Sequence, residues 1–351
     1  MIPRFLHLVA TTAAYRGRRA YTLHPIDPSK FFHPTTPSHH SHGSTDDNNI
    51  KTMEEFQLPP AAMTLHGPSQ LGDLGAMEFM LLGEGGRKGI LAVDHKCRAV
   101  LYDTASRAVS TMPAMHAPKF CPVSVPVGDG LYVLKTNPMP DEAEHCFEAL
   151  IYGHGPESRC KPDWYCHSLP PPPYDLHLDG DDRFFGDVCG HALVGGAYIW
   201  VSTEHSGTYS FSTVARSWSK LANWQMPFGG RAEYVPELGV SLGFSSQDNM
   251  LCACDLAGVE IPRPPKVLGK WEDVVQGKEW IPMTSELVPL GSGKVFIAKF
   301  FQVREKGYND YGYGNSDCFA VFTGVELENS GGQLRMRKHK SIRYQRVWIA
   351  T

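Results

Sequence analysis

The chain has 351 residues, of which 42% are hydrophobic, and its formal net charge is −4. This length allows a large buried core, while the slightly acidic charge gives no global attraction to nucleic acid or to an anionic membrane surface. No segment approaches the roughly 18 uninterrupted apolar residues that a membrane span needs, so we expect neither a membrane nor a nucleic acid as partner.

The first 32 residues allow two interpretations. They contain four arginines and one acidic residue, Asp27, and apolar residues between positions 2 and 9 would share one helical face. This composition is typical of an organellar transit peptide. The alternative is a first strand over Ala20–Leu23 and a turn at Pro25–Pro28, in which case residues 1–32 form a strand region that closes the domain.

Residues 33–55 form a segment of low complexity. It is rich in Pro, Ser, Thr, His, Asp and Asn and has little apolar content. Such a segment cannot bury enough surface to offset the entropy lost on ordering, so the sequence predicts a disordered insertion. The compact domain is expected over residues 56–351.

A pair of short apolar strands recurs about every 50 residues in this domain. The second strand of each pair ends near a Tyr, Cys or Phe that marks the repeat: Tyr102, Tyr152, Tyr209, Cys254 and Phe322. These residues are separated by 50, 57, 45 and 68 positions. A period in this range indicates an all-β propeller rather than a helical solenoid. The predicted pairs are 90–93 with 99–103, 131–134 with 149–153, 198–201 with 209–212, 240–244 with 251–255, and 295–298 with 319–324.

Five repeats are visible, and the length of the domain predicts six. Without the insertion roughly 300 residues remain, which at about 50 residues per blade gives six blades. We expect the sixth blade to combine the strand around Tyr21 with Met77–Leu82 and Tyr344–Ile349. Such closure would remove the exposed edges of a linear array of sheets.

Several stretches carry a family resemblance. They are Arg4–Val9, Tyr21–Ser29, Leu101–Thr104, Phe319–Glu326 and Leu334–Ser341. They resemble a large family of grass proteins, number 1668 in the series of domains of unknown function, whose members look kelch-like. The resemblance spans nearly the whole chain and implies a kelch-type propeller that includes the N-terminal stretch. It implies no activity and no catalytic residues.

The kelch signature itself is met in one repeat only. Gly195 and Gly196, followed by Tyr209 and Trp218, match it loosely, although the last spacing is too long. The other repeats lack the diglycine. The propeller prediction therefore rests on the period of the repeats more than on the kelch motif.

Short motifs suggest metal or phosphate chemistry, and each has a plainer interpretation that we favour. The candidates are the calcium-loop-like Asp175–Asp182, the strand pair Cys252 and Cys254, the group Cys160, Cys166 and His167, the tract His39–His42, and the glycine-rich Gly83–Gly89. None has the complete ligand or residue spacing of an EF-hand, a zinc finger or a phosphate loop. We therefore predict no metal, no cofactor and no catalytic residue. Nine scattered cysteines and the lack of an Asn-x-Ser/Thr site favour the reducing cytoplasm or nucleus.

A single basic cluster, Arg335–Lys340 with Arg343 and Arg346, could bind nucleic acid or serve as an import signal. We favour an outer strand whose charged face is solvated, because Leu334 and Met336 alternate with its basic residues.

Three tyrosines are the leading candidates for contact with a partner. Tyr308, Tyr311 and Tyr313 share a loop with glycines, a composition that recognition surfaces favour, although a plain crossover connection would suit it as well. The prediction is thus a non-catalytic scaffold whose loops bind another protein. The first alternative is an enzyme with an active site in the central channel, and the second is nucleic-acid binding through the basic strand.

Overall fold

The computed structural model describes residues 5–15, 18–33, 53–68, 76–83, 89–136, 140–154, 161–173, 178–179, 183–184, 188–274, 276–303, 318–345 and 347. Short 3-10 helices lie at Pro28–Phe31 and Pro140–His145, and all other regular structure in these ranges is strand. No helix in the described part of the chain is long and apolar enough to cross a membrane.

The strands follow one another at short intervals along the whole chain. They are β1 (Leu6–Tyr15), β2 (Arg18–Ile26), β3 (Glu54–Phe56), β4 (Met63–His66), β5 (Met77–Leu82), β6 (Gly89–Asp94), β7 (Ala99–Tyr102), β8 (Val109–Met112), β9 (Val123–Val127), β10 (Gly130–Leu134), β11 (Phe147–Gly153), β12 (Asp163–Ser168), β13 (Leu178–Asp179), β14 (Arg183–Phe184), β15 (Val188–Val194), β16 (Tyr198–Thr203), β17 (Gly207–Ser212), β18 (Ser217–Ala222), β19 (Phe228–Val235), β20 (Val240–Ser245), β21 (Leu251–Cys254), β22 (Val267–Trp271), β23 (Trp280–Gly291), β24 (Lys294–Val303), β25 (Cys318–Ser330) and β26 (Gln333–Gln345).

The chain divides into two compact units. The first comprises Met1–Ala10, Leu23–Met63 and Trp271–Ile349, and the second comprises Thr11–Thr22, Thr64–Lys270 and Ala350–Thr351. Strands β1, β2 and β4 form a three-stranded sheet.

The second unit contains four successive four-stranded meanders. Their strand orders are β5-β6-β7-β8, β9-β10-β11-β12, β15-β16-β17-β18 and β19-β20-β21-β22. The third and fourth meanders join into one sheet because β15 pairs in parallel with β19, with Gly190 opposite Gly230. The first strands of the earlier meanders are also neighbours, β5 beside β9 and β9 beside β15. The meanders therefore follow one another in chain order, and the first strand of each meander lies beside the first strand of the next meander.

Apolar clusters fill the space between consecutive meanders. Met80 and Leu91 of the first pack with Leu131 and Leu150 of the second. The second meets the third through Phe147 and Phe211, and the third meets the fourth through Trp200, Phe228 and Cys252. Four-stranded sheets that stack in this way are the blades of a β-propeller. The predicted all-β, propeller-type fold class is therefore confirmed.

The first unit contains a fifth meander, β23-β24-β25-β26, and β3 adds to its edge in parallel with β26. Phe296 and Phe322 lie in its core together with Phe31 from the 3-10 helix. Gly324 allows this close approach, because a Cβ at that position would lie 2.4 Å from the Phe31 carbonyl oxygen.

Each of the five predicted strand pairs is the second and third strand of one meander, so the repeat prediction is confirmed. The predicted composition of the sixth blade is wrong. Tyr21 lies in β2, Met77–Leu82 is β5 of the first meander, and Tyr344 lies in β26 of the fifth. The physical reason is local pairing, since Met77–Leu82 pairs with the adjacent Gly89–Asp94 through a short connection. Six blades stay a prediction.

The predicted insertion over residues 33–55 lies mostly outside the described residues. At its C-terminal end, Glu54 and Glu55 belong to β3 and pair with Ile342 and Arg343 of β26. At the N-terminal end of the chain, the strand predicted over Ala20–Leu23 lies within β2.

Candidate functional site

The two ends of each meander carry different connections. Because strands alternate in direction, the connection between the first and second strands and that between the third and fourth lie at one end, which we call the turn end. In the third meander these connections are residues 195–197 and 213–216. The backbone N–H and hydroxyl of Thr213 both donate to the Ala197 carbonyl, at 3.0 and 2.9 Å. The Thr213 side chain also hydrogen-bonds Tyr132 of the second meander. These turns are therefore fixed to each other and to the neighbouring sheet.

The turn ends of the second unit expose a series of large apolar side chains. Val214 is 85% exposed and Tyr198 is 49% exposed. Both lie at the turn end of the third meander. Other members, at the turn ends of all four meanders, include Leu81, Val109, Tyr152, Tyr234 and Ile261. Phe120, by contrast, lies in the connection between β8 and β9 at the opposite end.

The opposite end of the first two meanders contains a buried ion pair. Lys119 lies in the connection between β8 and β9, and Glu148 is the second residue of β11. The Lys119 ammonium group donates to Glu148 Oε2 and, at 3.1 Å, to the Ala117 carbonyl. Both side chains are almost completely buried. Burial alone would raise the pKa of Glu148, but hydrogen bonds and charge from Lys119, with hydrogen bonds from His116, bring it below its ordinary value.

His116 and Cys166 complete a cluster around the same carboxylate. His116 Nδ1 lies 2.5 Å from Glu148 Oε1, which also accepts the His116 backbone N–H at 2.9 Å. The Cys166 thiol donates to that oxygen at 3.3 Å and lies 3.7 Å from His116 Nδ1. Burial and the nearby Glu148 charge raise the pKa of Cys166 to about 12. The thiol is therefore protonated and is a poor nucleophile.

A small cavity of about 10 Å³, enough for about one water molecule, lies beside this cluster and shares Lys119 with it. Glu78 and His95 line the cavity together with apolar residues. Burial raises the pKa of Glu78 to about 7. Both ring nitrogens of His95 are buried and lack a hydrogen-bond partner within the described structure. The cavity is smaller than those that hold substrate-sized ligands, but a buried carboxyl group with a strongly shifted pKa is itself typical of functional sites.

Most residues of the predicted sites lie outside the described part of the chain. These are the partner-contact tyrosines Tyr308, Tyr311 and Tyr313, the tract His39–His42, Cys160, and most of Asp175–Asp182 and Gly83–Gly89. Cys252 and Cys254 are described and are buried in the core between the third and fourth meanders. Burial raises the pKa of each to about 12, as expected for core thiols.

The basic cluster is offset by acidic partners. Arg337 and His339 both contact Glu326, Lys340 pairs with Glu54 at 2.8 Å, and Arg343 contacts Glu55 at 3.2 Å. These ion pairs leave little uncompensated positive charge for binding the phosphate backbone of a nucleic acid. The basic cluster lies on β26, the fourth strand of its meander, and it alternates as predicted, with Arg335 and Arg337 exposed and Leu334 and Met336 partly buried. The short strand β3 pairs only with Ile342–Tyr344, beyond Arg335–Lys340.

The cluster at the opposite end was missed in the sequence. In the sequence, the near neighbours of Cys166 that could bind a metal are Cys160 and His167. Its partners His116 and Glu148 are 50 and 18 residues away. The one local signal was Glu148 itself, a charged residue inside the apolar strand Phe147–Gly153.

A family model described as a protein of unknown function, DUF1668, matches residues 3–344. No curated protein matches the chain. Among solved structures, the β-propeller domain of Cps50 (Swd1) from Myceliophteria thermophila is 11% identical, with a TM-score of 0.40 over 95% of this chain and 89% of that one. A protein from Lactobacillus plantarum is 10% identical, with a TM-score of 0.43 over 98% and 99%. The N-terminal domain of Nup159 is 9% identical, with a TM-score of 0.35 over 77% and 79%. These similarities are too remote to support a conclusion about this chain.

Proposed function

The chain belongs to the DUF1668 family of proteins of unknown function, and since that membership assigns no activity, we propose from its geometry that it is a non-catalytic interaction scaffold. The proposed partner is another protein, which binds the turn end of the second unit. The observation that carries the proposal is the series of exposed apolar side chains at four consecutive turn ends, led by Tyr198 and Val214. Large exposed apolar patches mark protein-interaction sites, and tyrosine is enriched at such surfaces.

The frame beneath these side chains supports binding without rearrangement. The third meander holds its two turns together through Thr213 and Ala197. A tyrosine adds a large contact area with few rotatable bonds, so little conformational entropy is lost when it is covered. A pre-organised surface of this kind needs no coupled folding to bind.

The tyrosines predicted from sequence form a second part of the proposal. Tyr308, Tyr311 and Tyr313 lie in the connection between β24 and β25, which joins the second and third strands of the fifth meander. The turn-end connections, in contrast, join the first strand to the second or the third strand to the fourth. We therefore treat the two groups as separate candidate contacts.

An enzyme is the second candidate function. The cavity with Glu78 and the unpartnered His95 favours it, because a carboxyl group with a pKa of about 7 can exchange protons near neutral pH. Nucleic-acid binding has less support, since Glu326, Glu54 and Glu55 offset the basic strand. All eight cysteines in the described ranges are free thiols, which supports the proposed cytoplasmic or nuclear location.

The experiment is affinity capture with the whole chain and three variants. The first carries Tyr198→Ser and Val214→Ser at the turn end. The second carries serine at positions 308, 311 and 313. The matched control is Phe120→Ser, which removes an exposed aromatic side chain at the opposite end. The proposal expects a stoichiometric protein partner that the turn-end variant loses and the control retains.

Two outcomes would count against the proposal. If the turn-end variant and the wild type capture the partner equally, the turn end is not the contact. If only the second variant loses the partner, the contact lies in the β24–β25 connection. Capture by none of the baits, together with turnover of a small molecule that Glu78→Gln abolishes, would favour the enzyme.

A further inference from the structure

We propose that His116, Glu148 and Cys166 form a zinc-binding site with three protein ligands and one open coordination position. One atom from each side chain, Nδ1, Oε1 and Sγ, lies within 4.8 Å of the other two. Nitrogen, oxygen and thiolate sulfur together are ligands that Zn²⁺ accepts, whereas Ca²⁺ and Mg²⁺ take oxygen ligands. The site lies away from the turn end and does not depend on the proposed function.

The three ligand atoms are already close to the spacing that zinc needs. Bonds of about 2.0 Å to nitrogen and oxygen and about 2.3 Å to sulfur, in a tetrahedral arrangement, place sulfur roughly 3.5 Å from the other two atoms. Here sulfur lies 3.3 Å from Glu148 Oε1 and 3.7 Å from His116 Nδ1. Nitrogen and oxygen are 2.5 Å apart and must separate by about 0.8 Å. His116 can make this adjustment, because its side chain is 45% exposed.

Neighbouring groups hold the carboxylate in place for this role. Lys119 binds Glu148 Oε2, so the ion would take Oε1 while the ion pair persists. The His116 backbone N–H already points at Oε1 and fixes the orientation of the carboxylate. Such outer partners orient metal ligands and raise affinity. A carboxylate whose only role was to neutralise Lys119 would not need contacts with an imidazole and a thiol. The contacts with His116 and Cys166 therefore distinguish this cluster from a simple ion pair.

Metal binding requires two proton rearrangements. The Cys166 thiol proton passes to solvent, and a neutral His116 carries its proton on Nε2, so that Nδ1 gives up its hydrogen bond to Glu148 and binds the ion. The thiolate, the Glu148 carboxylate, the ion and the Lys119 ammonium group then carry a net charge of +1, which hydroxide or an anionic ligand at the open position would neutralise. One proton is released for each ion bound. The fourth position is left for water or for an atom from a ligand.

The test uses the full-length chain, freed of metal with a chelator and titrated with Co²⁺ as a spectroscopic substitute for Zn²⁺. Thiolate coordination gives Co²⁺ a near-ultraviolet charge-transfer band, which His39–His42 cannot produce. We expect one equivalent of Co²⁺ to produce this band and one equivalent of Zn²⁺ to abolish it. Cys166→Ser should remove the band, and His116→Ala should weaken binding by at least 10–100-fold, the loss that removal of an outer partner alone produces.

The matched control is Cys189→Ser. Cys189 is also a partly buried thiol, but it donates to the Ser202 carbonyl and lies outside the cluster. This variant should bind like wild type. Circular dichroism of the metal-free variants shows that each is folded before titration. Three results would overturn the proposal: no thiolate band in wild type, a band that Cys166→Ser retains, or a folded His116→Ala variant with unchanged affinity.

Discussion

Trp218 provides the sharpest test of how the repeats pack. Its indole ring lies 5.4 Å from the ring of Phe147 in the second meander and 5.1 Å from that of Phe211 in the third. Its Nε1–H donates to the Pro170 carbonyl at 2.8 Å. Truncating a buried Trp to Ala typically costs about 3–5 kcal/mol. Because Trp218 is only partly buried, we expect a loss of about 3 kcal/mol, of which about 1 kcal/mol belongs to the hydrogen bond.

The assay measures the free energy of unfolding of Trp218→Ala and Trp218→Phe in urea, with far-ultraviolet circular dichroism as the signal. The phenylalanine variant keeps ring packing and removes the N–H donor, so it should lose about 1 kcal/mol. For a unit of this size the alanine variant should melt roughly 6–12 °C lower. A loss below about 1 kcal/mol in the alanine variant would refute the assignment of Trp218 to the contact between two meanders.

Three further predictions follow from buried groups and tight turns. Lys299→Met should cost about 3–5 kcal/mol in chemical denaturation, because it leaves the buried Asp273 carboxylate without its 2.8 Å partner, and adding Asp273→Leu should restore most of the loss. Burial raises the pKa of Glu78 to about 7 in the folded state, so in the unfolded state Glu78 loses its proton at a lower pH. The free energy of unfolding should therefore fall by about 3 kcal/mol as the pH rises from 4.5 to 7. Glu78→Gln should remove this fall, and melting curves at pH 5 and 8 that match wild type would contradict it. Gly207→Ala should cost more than about 1 kcal/mol, because φ is +90° and the Cβ would lie 2.3 Å from a carbonyl oxygen of β18; thermal melting checks this.

The second and third strands of each meander were predictable because they are apolar on both faces. Strands β6 and β10 are buried at every position, which leaves a continuous apolar run in the sequence. The fourth strands carry no such signal. β8 is exposed at three of its four positions, and β18 is partly or fully exposed throughout. The sequence therefore predicts the middle of each meander and leaves its outer strand unassigned.

The partners of the first strands could not be predicted from the repeat alone. Met77–Leu82 was assigned to the closure of the domain, although a short connection pairs it with Gly89–Asp94. The C-terminal part of β26, Ile342–Tyr344, pairs with β3, whose residues lie 288 positions earlier in the chain. Pairing over such separations depends on tertiary packing and leaves no local pattern.

The zinc-site residues were hidden for the same reason. His116 comes from a connection, Glu148 from the third strand of the second meander and Cys166 from its fourth. The pairing of β11 with β12 brings Glu148 near Cys166, and the connection between the first two meanders adds His116. In contrast, Cys252 and Cys254 could be assigned to the core, because the apolar strand around them already indicates burial.

The central claim is that the turn end of the second unit binds a protein partner. Hydrogen-exchange mass spectrometry of the chain with and without its captured partner tests this claim most directly. The account predicts new protection at residues 195–198 and 213–216, with little change in the connection that contains His116 and Phe120. Protection confined to that connection, or to the lining of the cavity around Glu78 and His95, would contradict it.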